Sequence, residues 1–184
     1  MKYNPDIHHR QSIRLRGYDY SQPGAYFITV CISQRECLLG QIEDANVILS
    51  RYGEVVHFNW FNLTKVYPSI ELDSFVIMPN HIHGIIILTN SRHNLSKVVR
   101  GLKTFSARRI NQLRSLSGIP VWQRGYYEHI IRNENTLTKI QEYILNNPYN
   151  WETDEMHPSQ KFPTAQKINI KLNNNIKLPM NLLS

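Results

Sequence analysis

The pattern of apolar and polar positions is clearest between Ile70 and Leu88. Two apolar, β-branched runs flank the pair Pro79-Asn80, which predicts antiparallel strands over Ile70 to Met78 and His81 to Leu88 joined by a tight turn. Upstream, Ala25 to Ile32 is apolar at successive positions, so this strand belongs in the middle of a sheet. Arg35 to Ala45 reads as a loop or short hairpin around Gly40. Ile48, Tyr52, Val55, Val56 and Trp60 repeat at helical spacing and predict a helix over 46–63, weakened at Gly53 and stopped by Tyr67-Pro68. A second helix is predicted over 95–114, with Val98, Val99, Leu102, Phe105, Ile110 and Leu113 as its stripe. Val121 to Arg132 reads as one or two short strands. Asn133 then caps a last helix that ends before Pro148. Residues 152–155 are expected to leave the fold, and 156–184 show no period. The order predicts an α+β fold, a ferredoxin-like antiparallel sheet with helices packed on one face. The expected organisation is an N-terminal arm over 1–24, a folded domain over 25–155 and a tail over 156–184.

Two constellations carry candidate chemistry. Alternation along a strand points His81 and His83 the same way, with Ile82 opposite. Two imidazoles side by side form half of a site for a divalent metal, or two hydrogen-bonded polar residues. On the last helix Tyr143 and Asn147 are four apart and share a face, about 5–6 Å apart at Cβ. If that helix packs near the histidines, Asn147 supplies an oxygen ligand and Tyr143 presents its phenol. The blander alternatives are a core tyrosine beside Leu137, Ile140 and Ile144, and an asparagine that only ends its helix. Two imidazoles and an amide oxygen would suit Mg²⁺ or Mn²⁺ with open positions for phosphate oxygens. Tyr126 and Tyr127 are rival nucleophiles, with His129 as their nearest metal-capable neighbour.

Charge changes the picture of the partner. The 184-residue chain carries a formal net charge of +7, which points to a polyanion. From Ser74 to Tyr127 there is no Asp or Glu, while Lys97, Arg100, Lys103, Arg108, Arg109, Arg114 and Arg124 all fall there. A solvated helix mixes signs, so this stretch reads as a phosphate-facing surface. Arg14 and Arg16 alternate with Ile13 and Leu15 on the arm and can show both cations on one face. With Cys31 and Cys37 as its only cysteines, the chain is expected to hold free thiols in a reducing compartment. The polar start and the lack of a long apolar run predict a cytoplasmic protein with no membrane contact.

Taken in order, these motifs resemble a known family. Pro79-Asn80-His81-Ile82-His83-Gly84 is similar to the His-hydrophobic-His signature of the HUH endonuclease superfamily. Trp122-Gln123-Arg124, Tyr127 to Asn133, and Tyr143 with Asn147-Pro148 resemble the REP-associated tyrosine transposases, relatives of the single-tyrosine transposases of small insertion sequences. Ser12 to Leu15, Tyr18 to Ser21 and Tyr26 to Thr29 fit the same group, so the resemblance runs from about Ser12 to Trp151. It implies an HUH-type catalytic domain over 25–155 and metal-dependent, site-specific nicking and joining of single-stranded DNA. The expected intermediate is a 5′-phosphotyrosine, and the expected partner a DNA hairpin with a short flanking guide sequence. By position Tyr143 is the nucleophile, with His81, His83 and Asn147 as ligands of Mg²⁺ or Mn²⁺. Arg14, Arg16, Arg100, Lys103, Arg124 and His129 are the candidate DNA contacts. The superfamily includes monomers and homodimers that exchange the tyrosine helix. The competing readings are a hairpin-binding regulator that does not cut, and a metal-dependent hydrolase of small phosphoesters. The acid-free stretch counts against the latter.

Overall fold

The computed structural model describes residues 17–160, so Arg14 and Arg16 lie outside the described residues, as does most of the expected tail. Its centre is an antiparallel sheet of β1 (Gly24–Cys31), β4 (Ile70–Met78), β5 (His81–Leu88) and β6 (Tyr127–Ile131), in the order β4-β5-β1-β6. The expected hairpin is present, with Pro79 and Asn80 as the two residues between β4 and β5. Register does the positioning: Thr29 lies opposite His83 and Cys31 opposite His81. Side chains facing each other across an antiparallel pair sit on the same face, so β1 supplies the immediate neighbours of both imidazoles.

Between β1 and β4 the structure departs from the expected single helix. Residues Gly40–Glu43 (β2) and Asn46–Leu49 (β3) form a small hairpin of their own. Helix α1 begins only at Arg51 and runs to Phe61, because the Ser50 hydroxyl accepts from the amides of Tyr52 and Gly53 and caps it. Ile48, which completed a helical spacing, belongs to β3. Gly53 fits because a Cβ there would collide with the Leu39 carbonyl. A short turn, α2 (Leu63–Val66), follows, and α3 (Leu95–Leu113) agrees closely with its predicted bounds.

The sheet is covered on both faces, which refines the expected one-sided packing. Even-numbered positions of β1 and β5, including Tyr26, Ile28, Ile82 and Ile86, join Val56 and Trp60 of α1 and Val98, Val99 and Leu102 of α3 in one core. Each fully buried aliphatic side chain of this kind contributes roughly 1.5–3 kcal/mol. Phe27 and Ile85, at odd positions, join Ile140 and Ile144 of α4 (Glu134–Asn146) in a second core. So α1 and α3 form the ferredoxin-like layer, while α4 crosses the opposite face. That is the face on which His81 and His83 stand, since they share the parity of Ile85.

Residues 152–155 do not leave the fold as expected. A single tight turn, Trp151–Thr153, carries the chain back over the sheet, and both Trp151 and Met156 are buried. Three bonds fasten this segment: Asn80 Nδ2 donates to the Met156 carbonyl (2.7 Å), Arg35 Nη1 to that of Glu155 (3.1 Å), and the Cys31 thiol to Met156 Sδ (3.7 Å). Among the described residues no helix is long and apolar enough to cross a membrane.

Candidate active site

His81 and His83 open β5, are fully buried, and point their Nε2 atoms at each other across 3.0 Å. Their outer nitrogens decide what the inner ones can do. Asn80 Nδ2 is committed to the carbonyls of Met156 and Arg35, which orients its amide. Its Oδ1 therefore faces His81 Nδ1 at 2.8 Å and accepts from it. His81 thus carries its proton on Nδ1 and presents a lone pair at Nε2. His83 Nδ1 meets the Thr29 hydroxyl at 2.8 Å. A hydroxyl both donates and accepts, so Thr29 accommodates either tautomer of His83. Across the 3.0 Å gap the His81 Nε2 lone pair can accept from His83 Nε2–H. To hold a cation at Nε2, His83 would carry its proton on Nδ1 and donate it to the Thr29 hydroxyl.

Burial holds both imidazoles neutral. It depresses the His81 pKa well below the usual histidine value, with His83 and Arg35 adding to the effect, and depresses that of His83 to about 3. Neutral imidazoles can serve as metal donors, whereas charged ones cannot.

Tyr143 projects from α4 onto this pair, its hydroxyl 3.3 Å from His83 Nε2 and its ring edge-on to Phe27. Burial raises its pKa, and the Asp154 carboxylate pushes the same way, while the Asn147 amide opposes both. At neutral pH the group is a phenol. Asn147, one turn further along, is buried, and its Oδ1 has no hydrogen-bond partner among the described residues. The orphaned Asn147 oxygen lies one turn of α4 beyond Tyr143, whose hydroxyl is the group that meets His83, and is left free to accept a further partner. The site also holds Asp154, unexpected from the sequence: one of its carboxylate oxygens and one nitrogen of each histidine lie within 4.8 Å of one another. Burial raises the Asp154 pKa, against the opposing hydrogen bond from the Met156 amide. The donor set, imidazole nitrogens with amide and carboxylate oxygens, fits a divalent cation.

The rival tyrosines lie on opposite faces of the sheet. Tyr126 packs against the α1/α3 core, whereas Tyr127 shares the α4-side core with Tyr143, its ring edge-on to the Phe27 that stacks on His83. Of the candidate DNA contacts, Arg100 and Arg124 are exposed, as are Lys97, Arg108 and Arg109. Lys103 is engaged inside the protein. Its ammonium donates to the carbonyls of Gln123 (2.7 Å) and Gly125 (2.9 Å), closing the loop before β6 onto α3. His129 is half-buried on β6, and its buried Nε2 has no hydrogen-bond partner among the described residues.

The sequence profile of the family described as "Transposase IS200 like" matches residues 50–147, more than half of the chain. The chain belongs to the IS200-like transposase family. The matched stretch of this transposase contains both histidines, Tyr143 and Asn147, and stops short of Asp154. An uncharacterised protein of Haemophilus influenzae is 41% identical over 175 residues, spanning 85% of the transposase described here and 97% of its own length. A second protein of that organism, named as a candidate REP-associated tyrosine transposase, is 27% identical over 140 residues, covering 71% and 73%. Among solved structures, a REP-associated tyrosine transposase bound to a REP hairpin superposes with a TM-score of 0.59 at 19% identity, covering 87% of this chain and 96% of that one. The α+β antiparallel architecture expected from the sequence is the one this neighbour has.

Proposed function

We propose that this transposase nicks and rejoins single-stranded DNA beside a hairpin repeat, through a 5′-phosphotyrosine formed on Tyr143. One observation carries the reading: the Tyr143 hydroxyl lies 3.3 Å from Nε2 of His83, in a buried histidine pair built to hold neutral donors. A divalent cation, Mg²⁺ or Mn²⁺, held by His81, His83 and Asn147, would supply Lewis-acid polarisation of the scissile phosphate. The chain's own residues do the rest. Thr29 and Asn80 orient the two imidazoles, and α4 holds the phenol against His83. Tyr143 loses its proton and its oxygen attacks phosphorus. The bond from phosphorus to the 3′ oxygen breaks, that oxygen takes up a proton, and the 5′ phosphate stays on the tyrosine. The reverse sequence, with a 3′ hydroxyl attacking, joins strands.

Exposed Arg100 and Arg124 are the proposed phosphate contacts, and Lys97, Arg108 and Arg109 of α3 are exposed as well. His129 is the proposed DNA contact on β6, and Arg14 and Arg16 are proposed to reach the DNA from the arm. Lys103 is reassigned to holding the 123–125 loop. The test is incubation of labelled single-stranded hairpin DNA with Mn²⁺, resolved on a denaturing gel. A covalent band in the native chain that vanishes in Tyr143→Phe supports the reading. A band that survives that change moves the chemistry to another tyrosine. Hairpin binding without any band supports the regulator that does not cut.

A further inference from the structure

We propose that Asp154 is the anionic ligand of the cation at His81 and His83, delivered by the segment that follows α4. This rests on the metal-dependent reading above and goes beyond it, because Asp154 lies outside the stretch shared with the family, residues 50–147. An oxygen of its carboxylate and a ring nitrogen of each histidine fall within 4.8 Å of one another. Asp154 Oδ1 accepts the Met156 amide at 2.6 Å, which leaves Oδ2 for a second partner. The segment is pinned on either side of the site, by buried Trp151 before Asp154 and by the Asn80 and Cys31 bonds to Met156 after it.

The chemistry of the donor set gives the carboxylate its meaning. Two neutral imidazoles and an amide oxygen carry no charge, and imidazole donors favour zinc, copper or nickel. A carboxylate adds a negative charge and a hard oxygen, which moves the preference toward Mg²⁺ and Mn²⁺. Asp154 therefore sets which metal the site takes.

The experiment is Mn²⁺ binding to the full chain without DNA, followed by calorimetry and by the electron paramagnetic resonance of free Mn²⁺. Asp154→Asn is the informative variant, because Asn retains an oxygen to accept the Met156 amide and loses only the charge. It is expected to weaken Mn²⁺ binding at least about tenfold and to leave the metal-free melting temperature unchanged. His83→Ala abolishes binding. Asp154→Cys, which offers a soft donor in the same place, is expected to prefer Cd²⁺ to Mn²⁺; a residue that only shaped the turn would produce no such exchange. Native Mn²⁺ affinity in both Asp154 variants, with binding lost in His83→Ala, would overturn the assignment of Asp154 while leaving the histidine site standing. Mn²⁺ binding that survives His83→Ala, or none in the native chain, would overturn the metal site and this ligand together.

Discussion

Asn80 does two separable things, and substitution can pull them apart. Its Nδ2 donates to Met156 O at 2.7 Å and to Arg35 O at 3.3 Å, while its Oδ1 accepts from His81 Nδ1 at 2.8 Å. Asn80→Ala removes all three bonds. The two shorter ones are worth about 1 kcal/mol each, and a buried Met156 carbonyl left without a donor adds at least about 1 more. The expected loss is therefore about 3 kcal/mol. At about 2–4 °C per kcal/mol for a chain of this size, the melting temperature falls by roughly 6–12 °C. The same change leaves the His81 tautomer unfixed, and loss of such an outer partner costs about 10–100-fold in metal affinity. Asn80→Asp keeps an acceptor for His81 but sets a carboxylate oxygen against the two carbonyls. It is expected to lose at least as much stability as the alanine variant and to keep Mn²⁺ affinity. Calorimetry gives the melting temperatures and the affinities, and long-range ¹H–¹⁵N correlation spectra give the His81 tautomer. Asn80→Ala with unchanged Mn²⁺ affinity would refute the tautomer argument. An unchanged melting temperature would refute the fastening argument.

Three further outcomes are expected. In Gly84→Ala a Cβ would lie 2.7 Å from Trp60 Cζ2 and 3.1 Å from Phe75, whose rings stack at 4.2 Å; overpacking should cost about 1–3 kcal/mol, visible in a thermal melt and partly recovered by adding Trp60→Phe. Burial alone would raise the Asp73 pKa, but hydrogen bonds from Gln141 and Ser74 outweigh it and hold it below 3.8. A depressed folded value means that this stabilisation is present above about pH 4 and is lost as pH falls through the folded value. The melting-temperature gap between the native chain and Gln141→Ala should accordingly close on acidification from pH 6 to 3. Cys31, its thiol pushed up by burial to about 11, should resist a disulfide reagent at pH 8 that modifies exposed Cys37, and should react only on unfolding.

The sequence made the local elements legible where a single period ran uninterrupted. β5 and α3 announce themselves through Ile82 to Leu88 and the stripe from Val98 to Leu113. β3 was hidden because Ile48 happens to sit four residues before Tyr52, and only Ser50 marks the true helix start. The side on which α4 packs was present in weaker form. Ala25 to Ile32 is apolar at odd as well as even positions, and a strand buried on both faces requires a cover on each. His81, His83, Tyr143 and Asn147 were readable because strand and helix periodicities place them. Asp154 was not, because what brings it back is one tight turn and three tertiary bonds, none of which leaves a period. Lys103 looked like a surface cation, and only the fold supplies the three carbonyls that absorb it.

The order in which the site's parts occur along the chain has a consequence for biosynthesis. The histidine pair is made near the middle of the chain, the tyrosine some sixty residues later, and the fastening segment later still. Domains assemble from the N-terminal side while the ribosome is still adding residues. The sheet and its α1/α3 layer draw only on residues made before α4, β6 being the last of them. A nascent or prematurely terminated chain can thus close its α1/α3 core while its histidines still lack the Tyr143 phenol. On the proposed reading, a chain that stops before Tyr143 holds the histidines without the phenol, so abortive products of synthesis would not join themselves to DNA.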